Sequence, residues 1–254
     1  MGDEILTERR GHVLLITLNR PDARNAVNSA LAQALADALD ALDSDSSLRV
    51  GVLVGAGKGF SAGKDLKAFV AGDRPHIGDR GFAGITRRSA EKPLIAAIEG
   101  FAVAGGLEIA LSCDLIVSSR DARLGIAEVK RGLVAAAGAL IRLPKRIPYH
   151  AAMELALGGE FIDGARAYEL GLVNRATEPG KALDTATELA EQIAQNAPLA
   201  LAASKKIVSQ VQDWDEAEAW QRQDKIAGPV MTSDDAREGA TAFAEKRPPE
   251  WKGR

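Results

Sequence analysis

The sequence predicts an α/β fold wound from repeated strand-strand-helix units and finished by a helical C-terminal region. Three observations carry this. Two short apolar-rich runs, Ile5 to Arg9 and Val13 to Leu18, are split by Arg10-Gly11-His12 and read as a hairpin, followed by one helix and a third strand. A looser version of that layout recurs between Leu94 and Glu128, and from Ala135 onward the pattern turns helical. At 254 residues the chain has the size of one large α/β domain, ample for a full core.

Taken in order, Asn19-Arg20-Pro21-Asp22 stops the second strand. Asn28 or Ser29 then caps a helix whose Leu31, Leu35, Leu39 and Leu42 lie on one face. Arg49 to Val54 is rich in valine, as expected of a strand covered on both faces. The glycine loop from Gly55 to Asp65 follows. A Walker motif does not fit it, because Val52 and Lys58 stand where the first glycine belongs, and Gly57-x-Gly59-x-x-Ala62 matches only the loose dinucleotide fingerprint. That fingerprint needs a helix and a second strand next. Ala71 to Gly84 carries glycines, a proline and charges instead, and Ala71 to Phe82 reads equally as a mobile surface loop near a site or as a plain solvated loop.

Leu94 to Ile98 is a buried strand, turned by Glu99-Gly100. A helix starting near Gly105-Gly106 is apolar on every side except at Glu108. A buried carboxylate is costly unless paired, hydrogen-bonded or protonated, and desolvation raises its pKa toward the range of general acids and bases. Leu115 to Ser118 and Ala122 to Ile126 are strands leading to Glu128. Helices are predicted over Ala135 to Leu143, ended by Pro144, then Ala151 to Leu157 and Gly164 to Leu170, and a strand over Leu172 to Arg175. Further helices cover Ala182 to Gln195, Leu199 to Gln212, Glu216 to Ile226 and Asp234 to Lys246, the last capped by Ser233. We divide the chain into a core of residues 1–195 and a helical region of residues 196–254 that closes a groove or pairs with another subunit.

With 32 basic against 35 acidic residues the net charge gives no nucleic-acid footprint, and no apolar stretch approaches a membrane span. The N-terminal region carries Asp3, Glu4 and Glu8, unlike a secretory signal, so a soluble cytoplasmic protein is expected. Cys113 is the single cysteine, and His12, His76 and His150 lie too far apart for ligand-like spacing, so no metal is expected.

Four motifs together carry a resemblance: Asn19-Arg-Pro with Asn25-Ala26, Gly59-Phe-Ser-Ala-Gly-Lys-Asp65-Leu, Ala104-Gly-Gly-Leu-Glu108 ending in Cys113-Asp114, and Gly125-Ile-Ala-Glu128. The chain resembles the enoyl-CoA hydratase (crotonase) superfamily over nearly its whole length. Ala242-Phe-Ala-Glu-Lys-Arg247 and Trp251-Lys-Gly-Arg254 are similar to its carnitinyl-CoA dehydratase branch. The resemblance implies the crotonase spiral of β-β-α turns and a homotrimer or homohexamer. It implies an acyl-CoA thioester substrate and no separate cofactor, coenzyme A entering as part of the substrate. The backbone amides of Lys64 and Gly105 are then expected to hold the thioester oxygen, with Glu108 and Glu128 handling water. Ala23, Arg24, Ala26, Ala62, Asp65 and Leu66 fall along the CoA groove, and Lys58, Lys67, Phe243 and Lys246 reach toward adenine or phosphates. Two departures stand out: Ala127 replaces a usual proline, and Ala137-Gly138-Ala139 replaces a glycine pair.

Overall fold

The computed structural model describes residues 3–254. Ile5–Arg10 (β1) and Val13–Leu18 (β2) form the expected hairpin, with Ile5 opposite Leu18. β1 is an edge strand, and its exposed Glu8, Arg9 and Arg10 keep that edge from pairing further. Asn28 accepts a hydrogen bond from the Leu31 amide and starts Ser29–Ser44 (α1), whose four leucines are fully buried. Val50–Gly55 (β3) returns parallel to β2.

The glycine loop ends in a short helix that the sequence reading missed, Leu66–Val70 (α2); Asp65 caps it by accepting from the amides of Lys67 and Ala68. The segment expected to be a loop up to Phe82 contains a minimal hairpin, His76–Ile77 (β4) with Gly81–Phe82 (β5). Leu94–Ile98 (β6) is followed by a strand also missed, Phe101–Val103 (β7), and only then by Gly105–Ala110 (α3), shorter than the apolar run suggested. Leu115–Ser119 (β8) and Arg123–Gly125 (β9) complete the second winding.

Ala139–Arg146 (α4) corrects the expected helix from Ala135 ended by Pro144. Residues 136–138 form a turn instead, with Gly138 at φ +115°, and Pro144 lies inside the helix, where its missing N–H forfeits one bond of the last turn. Tyr149–Gly158 (α5), Ile162–Asp163 (β10) and Gly164–Glu169 (α6) follow. The next strand is Arg175–Thr177 (β11), not Leu172 to Arg175: Leu172 and Val173 are core residues of the preceding turn, and pairing with β8 begins at Arg175 opposite Val117. Ala182–Ala194 (α7), Pro198–Gln210 (α8), Glu216–Met231 (α9) and Asp234–Glu245 (α10) end the chain.

The main sheet has the order β1-β2-β3-β6-β8-β11, all parallel beyond the β1-β2 hairpin. Alternating residues fill both faces. Leu14, Ile16, Leu53 and Ala96 join α1 in one cluster; Val13, Leu15, Val50, Val52 and Ile95 meet Ala182, Ala186, Ala190 and Ala194 of α7 in the other. That four-residue alanine spacing puts one small-residue stripe against the sheet. A second sheet, β10-β9-β7, carries the site. Beyond α7, helices α8 and α9 bury no residue, although Lys205 of α8 is anchored to Asp114 at 2.7 Å and to the carbonyls of Ala90 and Lys92. No helix among the described residues is long and apolar enough to cross a membrane.

Candidate active site

Strands β7 and β9 run parallel with Val103 opposite Gly125, so the residues that follow each strand leave the sheet at the same level. After β7, Ala104 takes φ +52° and ψ −130°, a conformation costly for a residue with a Cβ, and its amide bonds to the Gly125 carbonyl at 2.8 Å. The chain then turns directly into α3. Gly106 packs against the Ser61 carbonyl with no room for a side chain, and a Cβ on Gly63 would stand 2.7 Å from the Gly105 nitrogen. The glycine loop and the start of α3 are therefore in contact. Val27 and Asp65 take up the bonds on either side of Lys64, while the amides of Lys64 and Gly105 have no acceptor within the protein among the described residues. Two N–H donors on touching segments, one at a helix start, are thus left free to donate outside the protein.

Glu108, one turn into α3, is 3% exposed. It makes no ion pair with an arginine. Its Oε1 accepts from the Ala137 amide at 2.8 Å and the Ala139 amide at 3.1 Å. The other oxygen, Oε2, accepts nothing from the protein and is not occluded. Burial pushes the carboxyl up to about 7; the two amides and the Arg142 charge pull it back, while the Glu128 charge pushes it further. A carboxyl at that value exchanges protons readily at neutral pH. The Ala137-Gly138-Ala139 departure thus supplies the donors that hold Glu108. Sequence reasoning missed this, although a glycine between two alanines before a helix was its visible signal.

Glu128 follows β9 in a short 3-10 turn and is half-buried; its Oε2 is occluded and has no hydrogen-bond partner. Desolvation raises its pKa as well, against the pull of its own and neighbouring amides and Arg131. Together with Ile126, Val129, Val134, Ala135, Leu140 and Ala156 it lines an apolar cavity of about 30 Å³. Glu128 is close enough for its charge to raise the proton affinity of Glu108.

The other expected site residues divide into two groups. Ala62 is tied to Arg24 by its amide, so Ala23, Arg24, Ala26 and Ala62 lie along one edge leading to Lys64. Asp65 is committed to Arg20, at 3.0 Å, and to the cap of α2. Leu66, Lys58 and Lys67 are exposed nearby in sequence. Phe243, 87% exposed, and Lys246 stand at the end of α10, with no hydrogen bond or ion pair to this edge among the described residues. Cys113 is sealed in the core, with its thiol pKa pushed up by burial, and takes no part.

A spiral of strand-strand-helix units with this topology is the crotonase architecture. Residues 8–254 match the model of the enoyl-CoA hydratase/isomerase family. The chain is 42% identical to enoyl-CoA hydratase EchA19 of Mycobacterium tuberculosis, over all of this chain and 98% of that one. It is 41% identical to a carnitinyl-CoA dehydratase of Salmonella arizonae over the full length of both. A crystal structure of enoyl-CoA hydratase from Mycobacterium tuberculosis H37Rv superposes with a TM-score of 0.97 at 54% identity, covering both chains completely. The chain belongs to the enoyl-CoA hydratase/isomerase family and is an enzyme of the enoyl-CoA hydratase kind.

Proposed function

We propose that the protein reversibly adds water across the 2,3 double bond of a 2-enoyl-CoA, giving a 3-hydroxyacyl-CoA. The observation that carries this is the meeting of two desolvated carboxyls, Glu108 and Glu128, beside the unbonded amides of Lys64 and Gly105. The amides receive the thioester oxygen as it becomes an enolate; one such donor is worth roughly 3 kcal/mol of transition-state stabilisation. Glu108, oriented by two amides on Oε1, presents Oε2 to water and activates its attack on C3. Glu128, whose desolvation raises its affinity for a proton, delivers the proton to C2. Acid-base work of this sort contributes about 10² to 10⁴-fold. The scheme calls on no metal or nucleotide.

The same geometry run backward is a dehydration, so the likeness to a carnitinyl-CoA dehydratase keeps that reaction as the second reading. A double-bond isomerase would need only one of the two glutamates. The edge from Ala23 to Ala62 is assigned to the CoA moiety. The bare faces of α8 and α9 are assigned to subunit contacts in a trimer or a dimer of trimers, because neither helix buries a residue within the chain.

Loss of the conjugated enoyl absorbance of crotonyl-CoA tests the reaction. The parent is expected to be active, with Glu108→Gln and Glu128→Gln each at least about 100-fold slower. Inactivity of the parent on enoyl thioesters of several chain lengths, or full activity in both variants, rejects it.

A further inference from the structure

Arg142 is a half-buried cation that the hydration scheme does not use. It stands on α4 three residues after Ala139, whose amide bonds Glu108. No carboxylate forms an ion pair with it among the described residues. Taking a guanidinium out of water without an ion-pair partner is costly, so its position needs a reason.

The side chain is held at both faces. Nη2 donates to the Thr86 carbonyl at 2.6 Å. That carbonyl is itself fixed: Thr86 is buried, and the amides of Ile85 and Thr86 both bond to the Phe82 carbonyl and close a turn after β5. The turn is docked on α1. A Cβ on Gly84 would stand 2.6 Å from the Ala32 carbonyl oxygen, and Ile85 is fully buried in the same cluster as the α1 leucines. Next in the chain, the Arg87 amide bonds to the carbonyl of Arg80, and Arg80 is paired with Asp40 of α1. Arg142 is therefore anchored to the main core. Its guanidinium then lies over Gly138, with Cζ 3.2 Å from the place of a Cβ. Ala137 and Ala139, on either side of Gly138, give both amides to Oε1 of Glu108. Guanidinium and carboxyl thus press on the same turn without forming an ion pair.

The sign of the charge decides what it does there. Burial and the Glu128 charge favour the protonated form of Glu108, and the Arg142 charge favours the carboxylate. Arg142 is attracted by Glu108 and repelled by Arg146, one turn further along α4. The nearby Cys113 thiol is neutral at ordinary pH, because burial pushes its pKa up. Burial and Arg146 lower the proton affinity of the guanidinium, yet an arginine stays charged throughout the range in which Glu108 titrates. Direct pairing would have a different outcome. An adjacent arginine typically drags a carboxyl down by about 1–3 units, and it would occupy Oε2, the oxygen assigned to water. A cation held off by the turn does neither, and Glu108 remains at about 7.

We propose that Arg142 is a positioning residue for the hydration: anchored on Thr86 and laid over Gly138, it supplies a fixed positive charge that keeps Glu108 available as a carboxylate while leaving Oε2 to water. The inference rests on the reading of Glu108 as the group that activates water. Arginine suits the task because its planar fork can hold a carbonyl and lie against a glycine, and its charge does not titrate. A base in a dry pocket beside a second carboxyl otherwise spends neutral pH protonated.

The test separates charge from packing. In Arg142→Gln, the loss of kcat/KM for crotonyl-CoA relative to the parent is expected to be about tenfold greater at pH 6 than at pH 9, because the missing charge matters only where Glu108 is partly protonated. The charge that acts on Glu128 is that of Arg131, so the alkaline limb should stay in place. Arg142→Lys restores a charge without the fork and is expected to keep the acid limb of the parent, with any loss equal at the two pH values. Carbon-13 titration of the Glu108 carboxyl, which needs no turnover, is expected to move upward in Arg142→Gln and to stay near the parent in Arg142→Lys. Arg142→Met gives the same comparison if the glutamine variant does not fold. An equal loss at pH 6 and pH 9 in Arg142→Gln, or a Glu108 titration that is unmoved or falls, overturns the proposal. A parent inactive on enoyl thioesters would instead reject the hydratase reading, and the titration would still decide whether Arg142 holds Glu108 ionised.

Discussion

The Arg142 guanidinium fills the space above Gly138 where a Cβ would stand. Gly138 sits at φ +115° between the two residues whose amides bond Glu108, and Arg142 reaches across it to the Thr86 carbonyl. A side chain at position 138 would be strained by the backbone and would strike the guanidinium. Gly138→Ala is therefore expected to cost roughly 1–3 kcal/mol of stability and to slow hydration at least tenfold by turning an amide away from Glu108. Urea unfolding and crotonyl-CoA kinetics read the two effects separately. Unchanged values for both would show that this turn does not hold the carboxyl.

Glu128 raises the proton affinity of Glu108 through its negative charge. Replacing it with glutamine removes a like charge, so the Glu108 carboxyl should titrate below its parent value of about 7. Carbon-13 titration of glutamate carboxyls in the parent and Glu128→Gln measures this directly, whatever activity survives. A Glu108 titration that stays put or moves upward contradicts the coupling.

Glu108 also makes folding depend on pH. Its folded pKa, about 7, lies above the value of 4.5 for an unperturbed glutamate. The folded state therefore holds a proton that the unfolded state has released, and this group's contribution to stability declines as pH rises from about 4.5 to about 7. Glu108→Gln keeps an oxygen for both amides and carries no charge to desolvate. It should be more stable than the parent at pH 8, by on the order of 2–3 kcal/mol, while losing activity. Equal stability of parent and variant at pH 8, or a wider gap at pH 4 than at pH 8, would reverse this sign.

Lys205 joins α8 to the core through Asp114 and two carbonyls. Asp114 is itself largely desolvated, which raises its pKa against the pull of Lys205. Lys205→Met leaves that carboxyl without its cation and is expected to cost about 2 kcal/mol, less than a fully buried pair because both groups keep some exposure. Thermal unfolding at neutral pH measures it, and the double variant Lys205→Met with Asp114→Asn should recover part of the loss. No recovery would mean the effect comes from the carbonyl contacts alone.

Most of the winding was legible because long-range burial and local pattern agree there. The leucines of α1 and the valines of β3 predict their own partners, and the Asn28 and Ser233 caps lie where the residue types place them. Glu108 stood out for the same reason, as one charge in an otherwise buried apolar stretch. What could not be read was tertiary. Phe101–Val103 is too short to show a strand period and is a strand only because Arg123–Gly125 lies beside it. Ala135 to Leu143 has helical composition throughout, yet residues 136–138 turn aside to serve Glu108. The convergence of Lys64 and Arg74 on the Phe69 ring likewise depends on how the chain turns after α2, and no spacing announces it.

The pairing of Val103 with Gly125 acts as a ruler. Gly105 follows the last residue of β7 by two positions and Glu128 follows the last residue of β9 by three, so this one backbone pairing fixes where both segments leave the sheet. A change that slides β7 along β9 by one residue therefore displaces both segments relative to each other in a single step, and no side-chain repacking can undo it.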